Sequence, residues 1–413
     1  MHTTNQHKTS LGHLRVLDLT RVLAGPWCTQ NLADLGAEVI KVERPDQGDD
    51  TRSWGPPYLK NQDGNETSEA AYYLAANRGK QAIAIDIATP EGQALIIELV
   101  KHSDVLIENF KCGQLKKYGL DYATLSKLKP DLIYCSITGF GQDGPYANRA
   151  GYDFIIQGMG GLMSLTGERD GMPGGGPQKA GIAITDLMTG MYATVAILAA
   201  LTHRDRTGEG QYIDLALLDV QVAMLANMGS NYLTSQSSPQ RWGNAHPNIV
   251  PYQTFPTADG HIIIAAGNDM QYKKFVTIGE RHDLANDPRF ATNPLRVQHR
   301  EILVPLLEVM CKTKTKQAWI SALEAAGVPC GPINNLDEVF RDPQVIAREM
   351  QIQLDHPIAG SVPLVASPLR LSKTPVQYHQ APPTLGQHTQ ACLRNILNLS
   401  DEEIHALQTK RII

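Results

Sequence analysis

Short apolar runs, separated by amphipathic and polar stretches, set the frame of this chain. Arg15-Val-Leu-Asp-Leu-Thr20 predicts a strand, and Gly25-Pro26 opens a helix through Leu35, with proline at a favoured first position. Gly36 closes that helix, and Glu38-Val-Ile-Lys-Val-Glu43 predicts the next strand. Strand, helix and strand within about thirty residues form a βαβ unit of a doubly wound parallel sheet. Further strands are expected at Ala82–Ile87, Asp104–Asn109, Leu132–Ile137 and Gln211–Ala216, with a helix from Thr89 to about His102. The sheet therefore has at least five strands, mostly parallel, with polar and glycine-rich turns after them.

The apolar run Leu187–Leu201 holds no charge, and only Thr189, Tyr192 and Thr194 bring polar atoms. Apolar on nearly every side, it predicts a helix buried inside a domain, and it is too short for a membrane span. Asp186, preceded by Thr185, stands at the expected N-terminus of that helix. Helix grammar alone makes Asp186 or Thr185 an N-cap. The same position also suits a carboxylate kept ionised by the helix dipole and aimed at a substrate as a nucleophile.

After about Val220 the texture changes. Gln221–Leu233 is helical and Met-rich, and Thr234-Ser-Gln-Ser-Ser-Pro239 is a polar break. Strand pieces at Pro251–Phe255 and His261–Ala265 flank a Thr257-Ala-Asp-Gly260 turn, and helices follow near 269–278, 296–311 and 316–326. This reads as a second, smaller α+β domain. Beyond Asp342 come short strands around Gln351–Leu354, a proline-rich stretch to Pro383, and helices at Thr389–Leu397 and Asp401–Thr409.

A length of 413 residues calls for more than one core, and 42% hydrophobic with 19% charged residues is a globular composition. A net charge of −5 without basic runs excludes the electrostatic footprint of a nucleic-acid or acidic-membrane binder. The six cysteines form no C-x-x-C or Cys/His ligand pattern, which reads as reduced thiols in a cytoplasmic protein with no zinc site. The first turn, Thr20-Arg-Val-Leu-Ala-Gly-Pro26, has one glycine where a dinucleotide fold needs G-x-G-x-x-G, so a nicotinamide enzyme is disfavoured even though Glu43 ends the second strand. The polar loop Arg44–Pro56 follows a strand, where such sheets bind ligands. Gly171-Met-Pro-Gly-Gly-Gly-Pro177 is either a backbone cradle for a thioester or phosphate or an unconstrained glycine loop.

Leu17-Asp-Leu-Thr-Arg-Val-Leu-Ala-Gly-Pro26, Gly36–Arg44, Gly48-Asp-Asp-Thr-Arg52, Val105–Phe110, Ser136–Gly141, Thr185-Asp186, Thr207–Gly210, Asp287–Phe290, Gly327–Pro332 and Leu385–His388 follow one another along nearly the whole chain. Together they resemble the class III CoA-transferases, the family of formyl-CoA:oxalate and carnitine CoA-transferases. The resemblance implies a Rossmann-like doubly wound large domain built from both chain ends, a smaller α+β domain between them, and a homodimer of interlocked subunits. On that basis 12–220 is the first part of the large domain, 221–335 the linker and small domain, and 336–413 the return. It also implies Asp186 as nucleophile, passing through an acyl-aspartyl anhydride and an aspartyl-CoA thioester, with coenzyme A thioester as substrate and no permanently bound cofactor. Leu23, Ala24, Arg44, Arg78 (or Lys80), Asn109, Phe110, Lys117 and Tyr152 fall on the family's CoA-contacting positions.

The related racemases carry a His-Asp pair where this chain has Tyr152-Asp153, so the acid/base needed for α-proton exchange is missing. The mobile Gly-Gly-Gly-Gly loop of the formyl-CoA:oxalate enzymes is replaced by Arg241-Trp-Gly-Asn-Ala-His-Pro-Asn-Ile-Val-Pro-Tyr252. That segment, with Gly55-Pro-Pro57 and Gly331–Asn335, looks most like the succinyl-CoA:glutarate type, with an acetyl-CoA or formyl-CoA:oxalate type as the alternative. Arg241 and His246 are then the candidates to contact a dicarboxylate's distal carboxyl. An acyl-CoA racemase and a non-catalytic CoA-binding protein are the remaining readings.

Overall fold

The computed structural model describes residues 9–413. The chain divides into two compact units, one built from the stretch ending at Gly161 with Gly181–Gly229 and Ile346–Ile413, the other from Leu162–Ala180 and Ser230–Val345.

The first unit carries strands β1 (Arg15–Asp18), β2 (Glu38–Glu43), β3 (Lys80–Ala84), β4 (Val105–Glu108), β5 (Ile133–Thr138) and β6 (Gln211–Ala216). They form one sheet in the order β3-β2-β1-β4-β5-β6, every pair parallel. In register, Leu17 faces Ile40 on one side and Leu106 on the other. The period of two sends alternate side chains to opposite faces. Leu17, Ile40, Leu106 and Tyr134 join one core, and Val16, Val39, Val105 and Ile133 the other. Being apolar on both faces is what a parallel sheet covered by helices on each side requires.

Helices α1 (Ala24–Asp34), α2 (Pro90–Lys101), α3 (Tyr122–Leu128), α4 (Asp153–Met159), α5 (Ile184–Thr207), α6 (Leu217–Ala223), α7 (Thr389–Leu397) and α8 (Asp401–Thr409) complete the unit. The tail packs back on the sheet through Cys392, Leu393 and Ile404. It also covers the edge of β3: His388 donates its N–H to Ala82 O, and the Ala84 N–H donates to Thr389 Oγ1. The hairpin Gln351–His356/Gly360–Val365 packs Val362 and Leu364 on Tyr73 and Leu74.

Helix α5 departs from the expected helix buried all round. Ala193, Ile197 and Ala200 face the core, while Met191, Tyr192 and Val195 are exposed, Val195 by 59%. Gly190 explains how closely α5 meets α1, since a Cβ there would lie 2.6 Å from Ala24 O and 3.0 Å from Trp27 Cβ.

The second unit holds a three-stranded antiparallel sheet, Cys330–Gly331, Gly260–Ala265 and Tyr252–Thr257, packed with helices around Phe255, Phe275 and Trp319. Its main stretch runs 230–345 where 221–335 was expected, and it includes 162–180, which the resemblance placed in the large domain. Non-local bonds cause that difference. Gly243 N–H reaches Gly167 O, and Arg241 holds Glu168 O and the Asp170 carboxylate.

Candidate active site

After β1 the chain turns tightly through Arg21, Val22 and Leu23 before α1 begins. Val22 sits at φ 71°, a left-handed conformation that costs a β-branched residue roughly 1–3 kcal/mol. The turn is held from both sides. Arg21 N–H donates to Asn109 Oδ1 at 2.9 Å, and Asn109 Nδ2 returns a bond to Arg21 O at 2.7 Å. Val22 N–H donates to the Asp49 carboxylate at 3.2 Å. Asp49 is in turn anchored by the fully buried Lys41 at 2.8 Å, whose ammonium also reaches Thr20 O. With those amides taken, the N–H groups of Leu23, Ala24 and Gly25 have no acceptor among the described residues. Helix α1 has neither a side-chain cap nor an acid in its first turn. An uncapped helix N-terminus presents free donors and a positive dipole end.

A second helix N-terminus opens on the same place. The N-cap position of α5 is Ala183, and its first amides are satisfied from outside: Asp153 Oδ1 accepts Thr185 N–H at 2.8 Å and Asp186 N–H at 3.1 Å. Asp153, not Asp186 or Thr185, therefore caps the helix. Thr185 Oγ1 donates to the buried Gln221 at 2.6 Å, tying the start of α5 to α6. Asp186 is left with a carboxylate that accepts no hydrogen bond from the described residues and is 9% exposed. Burial first, and then the charge of Asp153, push it up to about 7. Burial thus opposes the ionised form that the helix end favours.

Leu23, Ala24, Asn109, Phe110, Tyr152 and Asp186 line one cavity of about 180 Å³. A larger cavity of about 700 Å³, with Arg44, Gly48, Asp86 and Tyr118 in its wall, shares Arg21, Phe110 and Gln114 with the first, so the two form one groove. It lies at the C-terminal ends of the strands, where the order reverses between β1 and β4, the ligand crevice of an open parallel sheet. Arg21 marks the junction, 5.7 Å over the Phe110 ring and paired with Asp50 at 3.0 Å.

The structure thus brings together six of the sequence-derived site residues and puts Arg44 at the far end of the groove. Lys117 is exposed just outside, 4.7 Å over the ring of Tyr118. Arg78 lies elsewhere: it is buried, doubly bonded to Asp34 and to Val365 O, on a different cavity with Ala33 and Gly36. Lys80 is fully buried on Asp18, Asn77 and Pro26 O, and burial depresses its ammonium to about 8. Both basic groups spend their donors inside the protein, so neither is free for a phosphate. Arg241 and His246 belong to the second unit and line neither cavity. Arg241 is engaged by Asp170 and two carbonyls, and His246 accepts from Asn248 N–H and packs at a tilt against Tyr252. The glycine loop 171–177 likewise lies in the second unit, closed on itself by Gly175 N–H to Met172 O.

Three residues of this site escaped the sequence reading. Arg21 stood inside a quoted motif, Asp153 stood beside Tyr152, and Arg149 lay in a polar loop; only the fold puts them at the groove.

The family model for CoA-transferase family III matches residues 11–389. The chain belongs to the family III CoA-transferases. Among the relatives of this CoA-transferase, the succinate–glutarate CoA-transferase of Agrobacterium fabrum is 52% identical, covering 92% of this chain and 94% of its own. The human succinyl-CoA:glutarate CoA-transferase is 43% identical, covering 97% and 89%. The acetyl-CoA:oxalate CoA-transferase of Acetobacter aceti is 37% identical over 87% and 88%. A CAIB/BAIF family protein from Brucella suis has the same fold, with a TM-score of 0.83, 51% identity, and coverage of 94% of this chain and all of that one.

Proposed function

We propose that this CoA-transferase moves CoA from succinyl-CoA to glutarate or a similar short dicarboxylic acid, with Asp186 as the covalent carrier. The observation that carries the mechanism is the Asp186 carboxylate, unbonded among the described residues, in a small cavity that it shares with Leu23 and Ala24 at the uncapped start of α1 and that adjoins a larger cavity of about 700 Å³. The names of the relatives at 43–52% identity support the substrate pair.

In the ionised enzyme an Asp186 oxygen attacks the acyl carbon of succinyl-CoA. The resulting oxyanion lies where the amides of Leu23 and Ala24 are available, and such preorganised donors favour developing negative charge. Collapse expels the CoA thiolate and leaves a succinyl-aspartyl anhydride. The thiolate attacks the Asp186 carbonyl carbon and expels succinate, leaving an aspartyl-CoA thioester. Glutarate attacks that same carbon, releasing the thiolate and forming a glutaryl-aspartyl anhydride. Thiolate attack on the glutaryl carbonyl then gives glutaryl-CoA and regenerates Asp186. Each step exchanges one acyl bond for another, so no proton or electron is left over.

On this reading Arg44, in the wall of the larger cavity, and Lys117, exposed beside Tyr118, serve the adenosine and phosphate end of CoA, and Leu23, Asn109, Phe110 and Tyr152, which line the smaller cavity, serve the thioester arm. A homodimer is part of this reading. Phe154, Ile155 and Met159 on α4 and Val195 on α5 are all exposed, apolar surface of the kind that subunit contacts cover. The six cysteines are all free, as suits a cytoplasmic enzyme.

The test is to incubate the enzyme with succinyl-CoA, trap with hydroxylamine or borohydride, and weigh the peptide carrying Asp186. The mass change of a trapped acyl or thioester adduct on that peptide is expected. An unmodified peptide, together with turnover retained in Asp186→Ala, overturns the mechanism.

A further inference from the structure

The geometry points to Arg149 as the residue that grips the far carboxylate of a dicarboxylic acid while its near carboxylate reacts at Asp186. This rests on the CoA-transfer reading above and takes over the role that the sequence assigned to Arg241 and His246.

Arg149 lies in the loop between β5 and α4 and lines the same cavity of about 180 Å³ as Asp186 and Tyr152. Its guanidinium carbon stands 5.3 Å from the Phe140 ring centre and 4.6 Å from that of Tyr146, two rings that are themselves packed edge to face. Aromatic faces of this kind hold a guanidinium by cation–π attraction and fix its plane while leaving its edge of N–H donors open. Those donors are unspent: no carboxylate or carbonyl among the described residues accepts from the side chain, whose single polar contact is the Met159 sulfur at 4.0 Å.

The other arginines of the groove differ. Arg21 is committed to Asp50, and Arg44 bonds Gln47 Oε1 on the wall of the larger cavity. Lys111 is a second cation of the small cavity, but it has no ring to orient it and carries a point charge on a flexible stem. A planar fork with open donors matches a carboxylate with two parallel bonds. On the functional reading above, CoA's phosphates take Arg44, in the wall of the larger cavity, and the exposed Lys117 beside Tyr118. The anion left for Arg149 is therefore the distal carboxylate of the acyl group or of the acceptor acid. A pocket built this way selects dicarboxylates over monoacids of the same chain length.

The test compares glutarate with pentanoate, whose terminal methyl replaces the far carboxylate, as acceptors at saturating succinyl-CoA. The wild type is expected to prefer glutarate in kcat/KM. In Arg149→Gln the KM for glutarate should rise roughly 10- to 100-fold, the range for losing one charge-assisted contact. The kcat/KM for pentanoate, which at saturating donor reports only the acceptor half-reaction, should hold while kcat falls with both acids through the donor's own far carboxylate, so the preference in kcat/KM collapses toward one. Arg149→Lys should recover part of it. Desulfo-CoA, which has no acyl group, serves as a binding probe in the same variants, and its Kd should stay at the wild-type value.

An unchanged glutarate preference in Arg149→Gln overturns the inference. So does an equal loss of desulfo-CoA affinity, which would make Arg149 a CoA contact. A wild type that transfers CoA to no acid at all refutes the functional reading instead.

Discussion

At the scale of single residues, Asp186 is a buried carboxylate without a partner among the described residues, and it works against stability. Its folded-state value of about 7 lies above the ordinary carboxylate value, so between roughly pH 4 and pH 7 the folded protein binds more protons than the unfolded chain. Stability from this group is therefore greatest in acid and falls as pH rises through that window. Asp186→Asn should raise the unfolding free energy by roughly 2–4 kcal/mol around pH 8 and by almost nothing around pH 4. Thermal melts at the two pH values check this, and an equal shift at both would contradict it. Asp153 lends its negative charge to the same effect, so Asp153→Asn should move the acid limb of the kcat/KM profile down by roughly half a unit to one unit. Asp153→Ala should in addition weaken α5 by about 1 kcal/mol through loss of its cap. The place of Asp186 before a long apolar run marked only a helix start and read as an N-cap; its proposed role came from the family resemblance. Asp153 was not, because the bond that gives it a role joins residues 32 positions apart. Arg78 and Lys80 were misread for a related reason. A basic residue in a motif shows its charge but not whether that charge is already spent inside the fold.

Among elements, the pairing that matters is α1 with α5, because it aims two helix N-termini at one cavity. Gly190 permits it. Gly190→Ala should force the helices apart and cost roughly 1–3 kcal/mol by overpacking, with turnover falling more than the melting temperature suggests, since Leu23 and Ala24 would shift relative to Asp186. A variant that loses stability but keeps wild-type kcat would separate packing from catalysis and count against this view. The βαβ unit around β1, α1 and β2 was legible in its periods and its Gly36, although α1 starts at Ala24 and leaves Pro26 third in the helix and not first. The character of α5 was read only by half. Composition marks it as apolar, but which face meets α1 and which lies open depends on where Gly190 falls around the helix.

For the whole molecule, both chain ends serve one sheet, with the tail closing the edge of β3 and filling the core beneath β1 and β2. Removing residues 389–413 should leave Leu17, Ile40 and Leu106 without cover and an unpaired strand edge, so the truncated chain should aggregate; size-exclusion chromatography of the soluble fraction checks this. The intact protein, on the proposed homodimer, should scatter light as twice the chain mass. The parallel sheet was legible because strands buried on both faces read as apolar runs. The share of 162–180 in the second unit was not, because it is made by Arg241 and Gly243 reaching across a large gap in sequence. One last consequence follows from the buried charges beneath the groove. Lys41, Asp49, Asp18 and Lys80 bind the loops after β1 and β2 and the start of β3 from below, so this floor is set before any substrate arrives. Calorimetry of CoA binding should accordingly show a heat-capacity change no larger than the ligand's own buried apolar surface requires, and association should show no slow loop-ordering phase.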